Sequence, residues 1–103
     1  MNSRILQVAM SVALLVACGA AGADERNAGR DIAANCANCH GTDGRSVGGM
    51  PSLAGRDKAE IVLYVMEFRD GKRPSTVMQQ LAKGYTDAQI EAAAAYFAAQ
   101  KPN

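Results

Sequence analysis

The pentapeptide CANCH at 36–40 sets two thiols three positions apart and puts the only histidine of the 103-residue chain directly after the second. A third cysteine, Cys18, lies far upstream in an apolar stretch. Few folds can use so tight a cluster of soft and nitrogen donors, so the cluster constrains the whole chain.

The stretch before it reads as an export leader. Arg4 is followed by an apolar run over 5–17 and then by AGA at 21–23, a small-residue cleavage pattern. The run is short for a membrane-spanning helix. LVAC at 15–18 also resembles a bacterial lipobox, which would make Cys18 a lipidated amino terminus. The two readings stay open, cleavage after Ala23 or lipidation at Cys18, and both send the domain at 24–103 to the periplasm. Only the second ties it to a membrane. Arg4 is one of 11 basic residues against 10 acidic ones, so the exported domain has a formal charge of zero. That balance argues against nucleic acid as a partner. With two phenylalanines, three tyrosines and no tryptophan, the domain has little bulk for a core of its own. Domains of this size commonly lean on a disulfide, a metal or a cofactor.

Helical signals run through the domain. The segment 24–41 reads as a helix entering the cysteine pair, with Ala28, Ile32, Ala33 and Cys36 at helical spacing. GTDGRSVGGMPSLAGR at 41–56 holds five of the 10 glycines and reads as a loop. The next helix is predicted to start on Asp57 as N-cap, with Glu60 three residues on, and to end at Gly71. Its Ile61, Tyr64, Val65 and Phe68 form one stripe that Val62, Leu63 and Met66 widen, which predicts burial on most sides. A short amphipathic segment follows and stops at Gly84. The last helix opens on a capping box, Thr86 with Gln89, and is rich in alanine. Four helical patterns without an alternating run predict an all-α domain.

Within that frame the cluster can be sorted. A structural zinc site takes four cysteine or histidine ligands, and the domain offers Cys36, Cys39 and His40 alone. A thioredoxin-like dithiol starts a helix after a strand, whereas these cysteines sit near the end of a helical pattern. A local disulfide would leave His40 without a role. Haem uses every residue: in CxxCH the thiols add across two vinyl groups and the histidine faces the iron. Its covalent attachment is completed outside the cytoplasm, in agreement with the leader.

With a single histidine, the position opposite His40 is filled by methionine or left open. Met50 lies close behind His40 in the glycine-rich loop, and Met66 falls among apolar residues on a helix, where methionine is usually filler. Met78 is separated from His40 by a loop and a helix, enough chain to reach the far face, and it is the preferred ligand. The alternative keeps Met78 in the core and the iron open.

CANCHGTDG, MPSLAG and STVMQQLAKGYTDAQIEAAAAYFAAQ together resemble the class I cytochromes c of bacteria. Within that family the resemblance leans toward the cytochrome subunit of flavocytochrome c sulfide dehydrogenase, with the cytochrome c4 and c5 groups behind it, and it covers 29–100. It implies thioether bonds at Cys36 and Cys39, a proximal His40, a distal Met78, and a Pro51 carbonyl that accepts the Nδ1–H of His40. It also implies that Gly29, Tyr96 and Phe97 mark the crossing of the first and last helices. Some cytochrome subunits of this kind carry two haem domains; this chain has one CxxCH.

The expected function is one-electron transfer. The stripe of Ile61, Tyr64, Val65 and Phe68 would cover the porphyrin, leaving an edge near Gly48, Gly49, Met50 and the Met78 segment. Arg69, Lys72, Arg73 and Lys83 could rim that edge for an acidic partner, but at zero net charge ordinary solvated charges are the simpler reading. There is no dinucleotide fingerprint, so an FAD-containing sulfide dehydrogenase would have to be a separate chain. The alternatives are a free or lipid-tethered carrier serving a respiratory complex and a ligand-binding haem sensor.

Overall fold

The computed structural model describes residues 22–103. The expected leader, its cleavage site through residue 21 and Cys18 lie outside the described residues. Four α-helices follow one another: α1 Gly22–His40, α2 Lys58–Arg69, α3 Met78–Ala82 and α4 Asp87–Ala98. A 3-10 turn, Thr42–Gly44, follows α1, and there is no strand among the described residues. The domain is all-α. None of these helices is long and apolar enough to cross a membrane.

Helices α1 and α4 form the main packed pair, and α2 lies against α4 and α3. Ala33 of α1, Ile61 of α2, and Ala94 and Phe97 of α4 make the buried cluster, with Cys36, Leu53, Val62, Val65 and Tyr96 against it. Among the described residues Phe97 is the largest side chain that is almost wholly enclosed, 2% exposed. The small residues around it let the backbones come close. A Cβ placed on Gly29 would lie 2.5 Å from the carbonyl oxygen of Ala92 in α4. Only glycine tolerates that approach. The crossing implied by the family resemblance is therefore present, though Gly29 meets Ala92, and Phe97 packs with Ala33.

Three local expectations change. Ala28 is exposed and the neighbouring Gly29 is buried, so the inward face of α1 runs Gly29, Ala33, Cys36. Sequence spacing counts alanine as apolar and glycine as a breaker, and here the close crossing reverses those roles. Asp57 stands at the N-cap of α2 but its side chain accepts no capping hydrogen bond. The burial of α2 on most sides does not occur: Ile61 is buried, Leu63 is exposed, and Tyr64, Val65, Met66 and Phe68 are half-buried. Among the described residues α2 packs mainly on α3 and α4. Met66 accordingly lies with Lys58, Ala59, Val62, Leu63 and Glu91 along a surface groove rather than in the core.

Both later helices end and begin as their residues dictate. At the end of α2 the Lys72 N–H bonds the Glu67 carbonyl at 2.9 Å and the Gly71 N–H bonds that of Phe68 at 3.1 Å, a Schellman closure with Gly71 at φ 74°. At α4 the capping box is complete: Thr86 Oγ1 accepts from the Gln89 N–H at 3.2 Å, and Gln89 Oε1 accepts from the Thr86 N–H at 2.9 Å.

Candidate functional site

The site is built on the last turn of α1. Cys36 is half-buried, Cys39 exposed, and neither is in a disulfide. The Cys36 thiol donates to the Ile32 carbonyl at 3.6 Å, one turn back. Burial is the main cause that pushes the Cys36 thiol up, with the nearby Cys39 adding to it.

His40 closes the helix and is 8% exposed, the one buried polar side chain among the described residues. Its Nδ1 lies 2.7 Å from the carbonyl oxygen of Pro51. A carbonyl can only accept, so Nδ1 is the donor, and in the neutral ring Nε2 is then the nitrogen with the lone pair. That bond fixes the ring and raises the basicity of Nε2 toward a metal.

The loop that brings Pro51 to His40 is held in several places. Leu53 and Ala54 N–H groups donate to the Gly44 carbonyl at 2.8 and 3.2 Å, and the Gly55 N–H donates to the Phe97 carbonyl at 2.9 Å. Gly44 has φ 80°, and a Cβ there would sit 2.7 Å from the Phe97 ring and 2.9 Å from the Ala54 nitrogen. Both the left-handed backbone and the crowding require glycine. Next to it Asp43 is also left-handed, at φ 54°. Its carboxylate accepts from Tyr96 Oη at 2.5 Å and faces the Arg45 guanidinium at 3.6 Å. The Asp43 bond is the main cause that raises the Tyr96 phenol above its ordinary range. Arg45 Nε donates to the Lys101 carbonyl at 2.8 Å, and Asn103 Nδ2 donates to the Ser46 carbonyl at 2.8 Å. Residues 101–103 thus lace across the His40 loop. Sequence reasoning found none of these anchors. The one local signal was aspartate before glycine in TDG, a pair that favours left-handed turns.

Met78 is the first residue of α3 and is half-buried; Met50, beside Pro51, is exposed. Of the large apolar side chains exposed among the described residues, Val47 and Met50 lie in the His40 loop, Val77 and Leu81 flank Met78, and Leu63 lies on α2. Apolar side chains outside the core therefore concentrate on the two segments that bear candidate ligands. Of the four basic residues near this edge in sequence, two are paired with acids. Arg69 binds Asp87 at 2.5 Å and Arg73 binds Glu67 at 3.2 Å.

Two free thiols on one helical turn, an imidazole with Nε2 available and two apolar segments fit a covalently bound haem. Cys36 and Cys39 would supply the thioether sulfurs for such a group and His40 a nitrogen ligand. Met78 lies between exposed Val77 and Leu81, and Met50 shares its loop with exposed Val47.

Residues 23–97 match the family described as cytochrome c oxidase, cbb3-type, subunit III. The cytochrome subunit of sulfide dehydrogenase from Chlorobaculum tepidum is 44% identical over 67% of this chain and 63% of its own length. Cytochrome c-554(548) from Halomonas halodenitrificans is 32% identical over 77% of this chain and 100% of its own length. The solved cytochrome c4 of Acidithiobacillus ferrooxidans superposes with a TM-score of 0.59 at 41% identity, over 61% of this chain and 37% of that one. The chain thus spans less than two thirds of the sulfide dehydrogenase subunit and of the solved cytochrome c4. The helical fold, the CxxCH site and these relatives agree: the chain belongs to the cytochrome c family, with a class I fold, covalently bound haem c and a role in electron transfer.

Proposed function

We propose that this chain is a periplasmic one-electron carrier with haem c bonded to Cys36 and Cys39, His40 and Met78 as axial ligands, and a flavin-containing sulfide dehydrogenase as its electron donor. The observation that carries the ligand assignment is the 2.7 Å bond from His40 Nδ1 to the Pro51 carbonyl, one residue from a free thiol. It leaves His40 a single tautomer with Nε2 as the donor atom.

When bound, the haem supplies an iron centre that changes charge by one electron. The chain's own residues make that change easy. The bond from His40 Nδ1–H to the Pro51 carbonyl would hold the ring in one orientation toward the group. The loop anchors at Gly44, Asp43 and Lys101 hold Pro51 in place, so the proximal side has little freedom to reorganise. A thioether from Met78 is neutral and soft, which favours the reduced state relative to a harder ligand. Val47, Val77 and Leu81 would keep water from the porphyrin and leave only an edge for electron entry.

The sulfide dehydrogenase assignment is supported by the 44% identity to such a subunit. A second reading, a free carrier serving a respiratory complex, is favoured by the whole-length match to cytochrome c-554(548). One experiment separates them. Native periplasmic and membrane fractions from cells given reduced sulfur are run through size exclusion with haem and flavin absorbance recorded together. Comigration of haem and flavin in a larger species is expected; haem alone at the size of a small monomer leaves the free carrier. Haem found only in the membrane fraction would support a tether, and the mass of the mature amino terminus then tests lipidation at Cys18.

A further inference from the structure

We infer that Arg73 is a positioning residue for Met78, a latch that fastens the methionine segment to α2. The inference rests on Met78 being an axial ligand. Beyond Gly71 the chain turns back, and the Arg73 side chain lies along the end of α2. Its guanidinium carbon is 4.0 Å from the centre of the Tyr64 ring and 5.7 Å from that of Phe68. Its Nε donates to Glu67 Oε2 at 3.2 Å, and Nη2 lies 3.2 Å from the same oxygen. Tyr64, Glu67 and Phe68 are spaced three and four apart, so they form one face of α2 shaped to receive a planar cation.

The segment beyond the latch cannot place itself. Helix α3 has five residues, too few to be stable alone. Pro74 restricts the backbone after Arg73, and Ser75 Oγ accepts the Gln79 N–H at 3.0 Å, which starts the helix around Met78. Buried Ala82 holds the other end. The first residue of α3 is therefore held from behind by Arg73 and from ahead by Ala82. A lysine would keep the charge but lose the flat fork that stacks and pairs together.

The test uses the haem-loaded protein. The ferric form is examined for the far-red charge-transfer band of thioether-ligated iron, and the ferrous form for the rate of carbon monoxide binding at neutral pH. Losing the cation–π contact on half-buried Tyr64 and one half-exposed ion pair is worth about a tenfold rise in the methionine-off population. Arg73→Gln should therefore bind carbon monoxide roughly tenfold faster with a weakened band, and Arg73→Lys should fall between it and wild type. Arg69→Gln breaks the pair with Asp87 instead, and should lower the melting temperature while leaving carbon monoxide binding unchanged. A wild-type rate in Arg73→Gln overturns the latch, as does an equal acceleration in Arg69→Gln. If Arg73→Gln gives no holoprotein, Glu67→Gln carries the test: a several-fold faster rate supports the latch and a wild-type rate overturns it. A wild-type protein that lacks the band overturns the Met78 assignment itself and the latch with it.

Discussion

Gly29→Ala sets two known effects against each other. In a helix interior, alanine is favoured over glycine by about 1 kcal/mol, so on propensity alone the change stabilises. The added Cβ, however, would stand 2.5 Å from the Ala92 carbonyl oxygen and 3.1 Å from its carbon. Ordinary contact begins near 3.4 Å, so α1 and α4 must separate by about an ångström at this point. Both atoms met belong to backbone, which cannot swing aside. Overpacking of this kind costs about 1–3 kcal/mol. Separation would also loosen Ala33 from Ala94 and Phe97 further along the same pair of helices, in the core cluster. The overpacking outweighs the propensity gain, for a net loss of up to about 2 kcal/mol, or a fall in melting temperature of up to roughly 15 °C for a domain this small. Ala28→Gly is the internal control, because Ala28 is exposed on the same turn and reports propensity alone. Thermal melts of holoprotein by far-ultraviolet circular dichroism should show both variants destabilised. If Gly29→Ala melts higher than wild type while Ala28→Gly melts lower, propensity governs both sites and the close crossing is refuted.

Other outcomes follow from individual contacts. Thr86→Ala should cost about 1 kcal/mol by opening the capping box of α4, whereas Asp57→Ala should change stability little because Asp57 accepts no capping bond; urea titration compares them. Tyr96→Phe should cost roughly 1–2 kcal/mol at neutral pH through loss of the bond to Asp43. The folded state raises the Tyr96 pKa, so its contribution is complete below the ordinary tyrosine value of about 10 and disappears as pH climbs through the higher folded value. The stability gap between wild type and Tyr96→Phe should accordingly narrow in alkali, and a gap that widens there contradicts the assignment. Cys36→Ser or Cys39→Ser should each leave haem attached through one thioether, read from the mass of the denatured protein; loss of all covalent haem in either variant would mean that the other thiol does not bond it.

Local signals carried much of the helical frame. The Thr86 and Gln89 box, the glycine after α2 and the run of alanines each act within one or two turns, and the helices lie where those signals put them. CxxCH likewise announces its chemistry within five residues. What escaped depends on chain segments that meet only after folding. Tyr96 and Asp43 are 53 positions apart, and Arg45 and Lys101 are 56 apart. No periodicity marks such a pair. The inward role of Gly29 was invisible to hydropathy because glycine has no side chain to score, and its neighbour Ala28 took its place in the pattern. Leu63 and Met66 looked buried because α2 is apolar on several sides, yet both line a surface groove with Lys58 and Glu91. Arg73 read as a surface charge until its ring partners on α2 were in view. Pro51 was legible only through resemblance to a family, since nothing in a proline's chemistry announces which histidine its carbonyl will meet.

The most direct test of the electron-transfer site is the far-red thioether band of the ferric holoprotein in wild type and in Met50→Ala, Met66→Leu and Met78→Ala. Loss of the band, with rapid carbon monoxide binding after reduction, is expected in Met78→Ala alone. A band that survives Met78→Ala, or that vanishes in Met50→Ala instead, would contradict axial ligation by His40 and Met78.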